Sequence, residues 1–374
     1  MNKDNFAFVI HPIDPRRDIG RKYPALAKLP VWLLELLSIF YPPVYLSEVT
    51  GIRSAHNGRA LQGWLLACPL TPRLMISLPP AVVYHKIVQV GRLAERLGAR
   101  LLGLGAFTSV AGDGGQTIAR RLDIPVTTGD SYTVAMAVRA IRQAAYRMHL
   151  EMETETVAIV GAYGAIGRVC AQMLAPQSGR LLLIGRDQGR LAAVADEIQS
   201  ATAASRQIEL AADIERLSDA ALIVTVTSAV DAVIEPQHLR PGAIVCDVAR
   251  PRDVSRQVAE QRPDVLVIEG GMVRVPGPVD FGFDFGFPPG MAYACMAETM
   301  ALALEGRYES YTLGKQIELA RVLAIDKIAH THGFTLGGFR SFERAIPEAE
   351  ISAIYARALA GRASPGQQVA AASV

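Results

Sequence analysis

Val157-Ala-Ile-Val-Gly161-Ala-Tyr-Gly164-Ala-Ile-Gly167-Arg-Val-Cys170 decides the fold. A short β-branched apolar run meets three glycines spaced three residues apart and then enters a helix-compatible segment. The pattern predicts a buried strand, a turn in which backbone approaches a pyrophosphate, and a helix whose first N–H groups hold the anion. Its spacing is G-x-x-G-x-x-G, a variant of the G-x-G-x-x-G fingerprint. The cofactor contacts expected from it are Gly161, Tyr163, Gly164, Ala165, Ile166 and Gly167. Glycine-rich strand–helix turns also arise for packing alone, so the context has to decide.

About twenty residues further on, Arg180-Leu-Leu-Leu-Ile184 reads as a second buried strand. An NAD site places a carboxylate at the end of that strand, on the ribose 2′-hydroxyl. This chain has Arg186 there and Arg190 one helical turn on, with Asp187 between them. A guanidinium fork suits a 2′-phosphate that a carboxylate would repel, so the expected cofactor is NADPH. Two solvated arginines flanking a loop is the plainer account. Further cofactor contacts are expected at carboxyl ends of later strands: Thr227, Ser228, Asp247, Gly270 and Gly271, beside Glu269. A tight loop explains the paired glycines equally well.

At 374 residues the chain is long enough for two domains with substantial cores. Half of it is hydrophobic and 20% charged, with a net charge of +2, which provides no broad basic surface for nucleic acid. No zinc-ligand spacing is visible, and no metal is expected. The four cysteines, Cys68, Cys170, Cys246 and Cys295, form no disulfide framework. With no secretory signal in view, a reducing cytoplasm is the expected compartment. The apolar stretch Val31–Tyr41 has about half the length of a bilayer span. It reads as an amphipathic core helix, or else as a wall for an oily substrate or a peripheral membrane contact.

The expected architecture is α/β: a doubly wound, Rossmann-type parallel sheet over 151–290, an N-terminal α/β substrate domain over 1–150, and a C-terminal helical segment over 291–345. Residues 346–374 read as a helix remnant and a tail fraying from about Ala360. The dinucleotide domain should hold strands at 156–160, 180–184, 207–210, 221–226, 243–247 and 265–268, and the first domain strands near 6–10, 63–68 and 100–105. Apolar positions at helical spacing predict a helix from about Ala81 to Leu97. Another runs from Thr127–Thr133 to about residue 149, capped by Asp130 or Ser131.

Cys295 lies just inside a helix expected after Pro288-Pro-Gly290, where the helix dipole lowers a thiol pKa. A cysteine in an Ala/Met-rich helix is also, commonly, just a small buried hydrophobe. Before it, Val279-Asp-Phe-Gly-Phe-Asp-Phe-Gly-Phe287 could form a flexible apolar lip over a substrate.

Several segments carry a resemblance: Leu104-Gly-Ala-Phe-Thr-Ser109, Thr127-Thr-Gly129, Val160–Gly167, Gly270-Gly-Met-Val273, Tyr293-Ala-Cys295-Met-Ala-Glu298 with Leu304-Glu-Gly306, and His332-Gly-Phe334. As an ordered set the chain resembles the long-chain acyl-(acyl-carrier-protein) reductases, aldehyde-forming enzymes, and their bacterial relatives labelled predicted amino-acid dehydrogenases. The resemblance implies that Cys295 takes an acyl group as a thioester before hydride delivery, from a long-chain acyl thioester on coenzyme A or acyl carrier protein. The chain departs from that family at Asp130-Ser-Tyr132-Thr133, where the cyanobacterial members read Asn-Thr-His-Thr, so Tyr132 stands in place of a histidine.

Such chemistry needs oxyanion donors, for which backbone near Gly290–Cys295, Thr128 and Ser131 are the candidates. His85, His330 and His332 are candidate proton relays, and Arg16, Arg17, Arg21 and Lys22 could meet an acidic carrier protein. Two other classes remain open: an amino-acid or shikimate-type dehydrogenase with direct hydride transfer, and a non-catalytic NADP(H)-binding regulatory protein.

Overall fold

A computed structural model describes residues 4–110, 112–201, 207–229 and 231–363. The chain makes two compact units, Met1–Met136 with Gly271–Gly337, and Ala137–Gly270 with Gly338–Val374. These boundaries differ from the successive regions 1–150, 151–290 and 291–345, because the chain after Gly270 returns to the first unit.

In the first unit, β1 (Asn5–Ile10), β2 (Val44–Arg53), β3 (Ala60–Ala67), β4 (Leu102–Leu104) and β5 (Val126–Thr127) lie in the order β2-β3-β1-β4-β5. Only β2 runs antiparallel to its neighbour. The central β1 is apolar on both faces and buried from Phe6 to Val9, as a strand covered on both sides must be. The helix Pro80–Arg96 buries Val83, Ile87, Val90 and Ala94 on one stripe, matching the expected spacing. The helix Val31–Phe40 corrects the core reading of that stretch. Leu34 and Ser38 are buried, whereas Trp32 and Phe40 are 65% and 78% exposed, with Leu36 and Leu37 beside them. The neighbouring cations are largely engaged: Arg17 and Arg21 pair with Asp18, and Lys22 donates to the Leu46 carbonyl.

In the second unit, β6 (Thr156–Val160), β7 (Arg180–Ile184), β8 (Ile208–Ala211), β9 (Leu222–Thr225), β10 (Ile244–Asp247) and β11 (Leu266–Glu269) are all parallel. Their order, β8-β7-β6-β9-β10-β11, is the 3-2-1-4-5-6 arrangement of a Rossmann-type sheet, with the topological switch between β6 and β9. Each strand lies within about a residue or two of its expected span, the margin within which strand ends are defined.

The chain then rejoins the first unit through β12 (Met272–Arg274), β13 (Met291–Tyr293) and β14 (Thr335–Leu336), a small antiparallel sheet. Segment 291–345 is therefore only partly helical, with helices Ala294–Glu305 and Leu319–His332. A helix Glu348–Ala363 follows, and the rest of the expected tail lies outside the described residues. Among the described residues no helix is long and apolar enough to cross a membrane.

Candidate active site

The helix Ala294–Glu305 is mostly apolar and buried from Met296 to Leu304, against β1 and β4. Cys295, in its first turn, is partly exposed. Residue 129 approaches it so closely that only glycine fits. A Cβ there would lie 2.3 Å from Cys295 Cα, and Gly129 has φ +77°.

One turn below the thiol, buried Glu298 gathers the surrounding chain. Its carboxylate accepts from Thr127 Oγ1 (2.5 Å), Thr312 Oγ1 (2.9 Å) and the Tyr132 N–H (2.9 Å). Thr312 Oγ1 also lies 2.8 Å from Ser131 Oγ. Of the two expected hydroxyl donors, Ser131 is thus engaged. Thr128 is fully buried, and its hydroxyl has no hydrogen-bond partner of good geometry. Tyr132 is buried on the same helix.

The thiol is not activated in the way the sequence suggested. Backbone N–H groups of Met296 and Ala106 favour the thiolate, but burial and the charges of Asp130 and Glu298 push the Cys295 thiol up to about 12. Desolvation outweighs the helix dipole. Asp130, immediately after Gly129, is itself pushed up to about 7 by burial and by Glu298, while the Thr128 hydroxyl draws it part of the way back. Burial also raises Glu298, against the hydrogen bonds donated to it. Ala106 adopts φ +47°, a strained conformation for a residue with a Cβ, and nothing in the sequence signals it.

The aromatic run before Cys295 is pinned and is not a free lip. Ser47 Oγ donates to the Phe281 carbonyl, and Thr50 and Asp280 exchange backbone hydrogen bonds. Phe281, Phe285, Phe287 and Tyr293 follow one another in ring contact, ending with Phe287 and Tyr293 at 4.2 Å. The histidines are not brought to the thiol by any observed contact. His85 is exposed beside Gln89, and His330 is exposed. His332 is held between Ser54 Oγ and Glu305, both at 2.8 Å.

In the second unit the glycine turn is built as expected. Gly161 has φ +79°, and a Cβ there would lie 2.7 Å from the Val226 carbonyl oxygen, at the ends of β6 and β9. A Cβ on Gly167 would lie 2.3 Å from the Gly161 carbonyl oxygen. The helix Ala165–Leu174 starts from Gly164 with no side-chain cap, which leaves the first-turn N–H groups of Ala165, Ile166 and Gly167 for an anion. Past β7, Arg186 is exposed with no hydrogen bond or ion pair among the described residues. Arg190 lies over the Tyr163 ring at 4.3 Å. Asp187, which could oppose a phosphate, accepts instead from the Arg190 N–H (3.0 Å) at the start of its helix. These residues could hold NADP(H), with backbone donors available to a pyrophosphate and the Arg186 and Arg190 guanidinium groups to a 2′-phosphate.

The later strand ends behave differently. The Thr227 hydroxyl donates to Asp253 (2.5 Å), and Thr225 does likewise (2.6 Å), so both brace a buried aspartate that sequence reasoning passed over. Asp247 accepts from the Ala249 and Val254 N–H groups and is pushed up to about 7 by burial. Ser228 is exposed. Gly270 is needed for packing, since a Cβ would lie 2.7 Å from Val248 Cγ2. Gly271, at φ +83°, accepts from the Ala294 N–H (2.8 Å) in the first unit. Glu269 is enclosed by Arg250, Arg252 and Arg340.

Comparison with known proteins agrees with this division. Residues 143–269 match the family model described as Shikimate / quinate 5-dehydrogenase. The aminotransferase PigE of Serratia sp. is 31% identical over 76% of this chain, which spans only 34% of that protein. The long-chain acyl-[acyl-carrier-protein] reductase of Synechococcus elongatus is 27% identical over 78% of this chain and 87% of its own length. Among solved structures, L-tryptophan dehydrogenase from Nostoc punctiforme covers 96% of this chain and 89% of its own at 12% identity, with a TM-score of only 0.39. The matched stretch, residues 143–269, falls within the second unit, whose Rossmann-type sheet is thus similar to that of a dehydrogenase domain.

Proposed function

We propose that this protein reduces a long-chain acyl thioester, on coenzyme A or acyl carrier protein, to the fatty aldehyde with NADPH. The reading rests on one observation: a partly exposed Cys295 with the Ala106 and Met296 N–H groups at its sulfur and Gly129 packed against its Cα. Cys295 attacks the acyl carbon and the donor thiol departs, leaving a thioester on the enzyme. The same N–H groups and Thr128 supply donors for charge developing on the acyl oxygen. The rings of Phe285, Phe287 and Tyr293 offer apolar contact for the acyl chain next to the nucleophile. Bound NADPH supplies the hydride that makes the step a reduction. The reductase relative of Synechococcus elongatus supports the substrate class.

The test is intact-protein mass spectrometry of wild type and Cys295→Ala, mixed with palmitoyl-coenzyme A without NADPH. An acyl increment on wild type alone, discharged as aldehyde when NADPH is added, is the expected result. No increment and no aldehyde would sink the reading. A second reading, direct hydride transfer to a small polar substrate, is favoured by the dehydrogenase family model over residues 143–269. It requires dehydrogenase activity that survives Cys295→Ala.

A further inference from the structure

A thiol held neutral cannot attack until something takes its proton, and the structure narrows what that is. Tyr132, buried near the start of the helix Asp130–Arg147, offers a phenol, which donates more readily than it takes a proton. His332 is spent on Ser54 and Glu305. His11 is buried and pushed down to about 4, with its Nε2 already accepting from the Phe107 N–H. Glu298 carries three donated hydrogen bonds that hold Thr127, Thr312 and the start of the Tyr132 helix together. Its oxygens are already occupied by that frame.

Asp130 is free of those duties. It is partly exposed and directly follows Gly129, whose backbone packs so close to Cys295 that a Cβ there would lie 2.3 Å from Cys295 Cα, and its charge raises the Cys295 thiol. Its side-chain neighbour is the buried Thr128 hydroxyl, which lacks any other partner. The ionisable groups around the pair are Glu298 of the helix Ala294–Glu305 and, beyond it, Tyr311, itself raised by burial and by the Glu298 charge. No cation is among the groups that shift Asp130 or Cys295. A carboxyl so placed changes protonation near neutral pH, as a general base should.

We propose that Asp130 is the base of the acylation step, taking the Cys295 proton as the sulfur attacks and returning it to the departing sulfur. The inference rests on the acyl-thioester reading above. The Cys295 S–H bond breaks as its sulfur bonds to the acyl carbon, and the proton moves to an Asp130 oxygen. The bond from acyl carbon to donor sulfur then breaks, and that sulfur leaves as a thiol with the proton from Asp130. Nothing is oxidised or reduced, and Asp130 ends as it began.

The test compares two reactions of Cys295 in wild type, Asp130→Asn and Asp130→Glu: acylation by palmitoyl-coenzyme A, and alkylation by iodoacetamide read at the Cys295 peptide. Wild-type acylation should rise with pH through about 7. In Asp130→Asn it should fall by about 10²–10⁴-fold and lose that rise, with Asp130→Glu recovering part of it. Alkylation should move the other way. Removing the Asp130 charge relieves the repulsion on the thiolate, so the Asn variant should alkylate as fast as wild type or faster. An Asn variant that acylates at the wild-type rate with the wild-type pH profile overturns the proposal and leaves the reaction standing. Parallel loss of acylation and alkylation overturns it in favour of a purely structural aspartate. Wild-type protein that takes no acyl group overturns both.

Discussion

Each unit buries a glutamate, and the two are held in opposite protonation regimes. Glu298 in the first unit and Glu269 in the second are 0% and 5% exposed, so both pay the desolvation of a carboxylate. Around Glu269 stand the guanidinium groups of Arg252 (2.9 Å), Arg250 (3.4 Å) and Arg340 (4.0 Å), with the Glu343 N–H at 2.8 Å. They overcome burial and hold its pKa below the ordinary value. Around Glu298 stand hydroxyls and N–H groups, with no cation paired to it among the described residues, and burial prevails. Positive charge, not depth, decides which carboxylate is fixed and which can exchange a proton. The fixed one stabilises the second unit, and the exchangeable ones, Glu298 and Asp130, lie beside the nucleophile.

The largest expected effect breaks the fixed cluster. Glu269→Gln removes the carboxylate shared by the nearly fully buried Arg340 and by Arg250 and Arg252, of which Arg252 keeps Glu343, at a cost of about 3–5 kcal/mol in urea unfolding. Glu298→Gln at neutral pH should cost less, about 1–2 kcal/mol, because a neutral side chain there keeps most acceptor positions and no ion pair is lost. Equal losses, or a larger one at Glu298, would break the contrast.

Legibility in the sequence follows the same physics. β6 to β11 were readable because strands buried on both faces must be continuous apolar runs, and Gly161 because its φ and its approach to Val226 exclude a Cβ. β2 was hidden by two register irregularities, between Tyr45 and Ser47 and between Val49 and Ile52, which interrupt the period-two pattern. Cys295 was visible as a helix-start thiol, but its raised pKa was not, since that depends on carboxylates brought to it by the fold. Asp130 read as a helix cap, because the proximity that gives it another role arises through Gly129, from a helix far along the chain. Thr227 was assigned to the cofactor because Asp253, which takes its hydroxyl, lies 26 residues away in sequence.

Titrating stability sharpens the comparison further. Asp130 ordinarily ionises near 3.8 and in the folded chain near 7, so the folded state binds the extra proton between those values. Its contribution therefore weakens as pH rises through that window and is smallest above about 7. Asp247 titrates in the same direction in the second unit, so the informative quantity is the difference between wild type and Asp130→Asn. The Asn variant should gain on wild type by on the order of 1–2 kcal/mol between about pH 5 and about pH 8, measured as unfolding free energy. Glu269 has the opposite sign, since its stabilisation is lost as pH falls through its lowered pKa. A constant wild-type-minus-Asn difference would mean that Asp130 is not raised at all.

The smallest effect concerns the reverse imbalance, cations without a carboxylate. Arg250, Arg252 and Arg340 share Glu269, and Asp187 has turned its oxygen to a helix N–H, so Arg186 and Arg190 are left with no acid of their own. By the rule that separates the two glutamates, such a pair calls for an anion from outside, and a ribose 2′-phosphate is the anion that distinguishes NADPH from NADH. Arg190 is the better placed of the two, its guanidinium already fixed over Tyr163 and against the Tyr163 carbonyl (3.4 Å). Arg190→Ala should weaken NADPH binding by roughly tenfold, about 1.4 kcal/mol, and leave NADH binding nearly unchanged, as read by titration calorimetry with both cofactors. Parallel weakening of both would assign Arg190 to holding Tyr163 and the glycine turn, and the choice of cofactor would then rest on Arg186 alone.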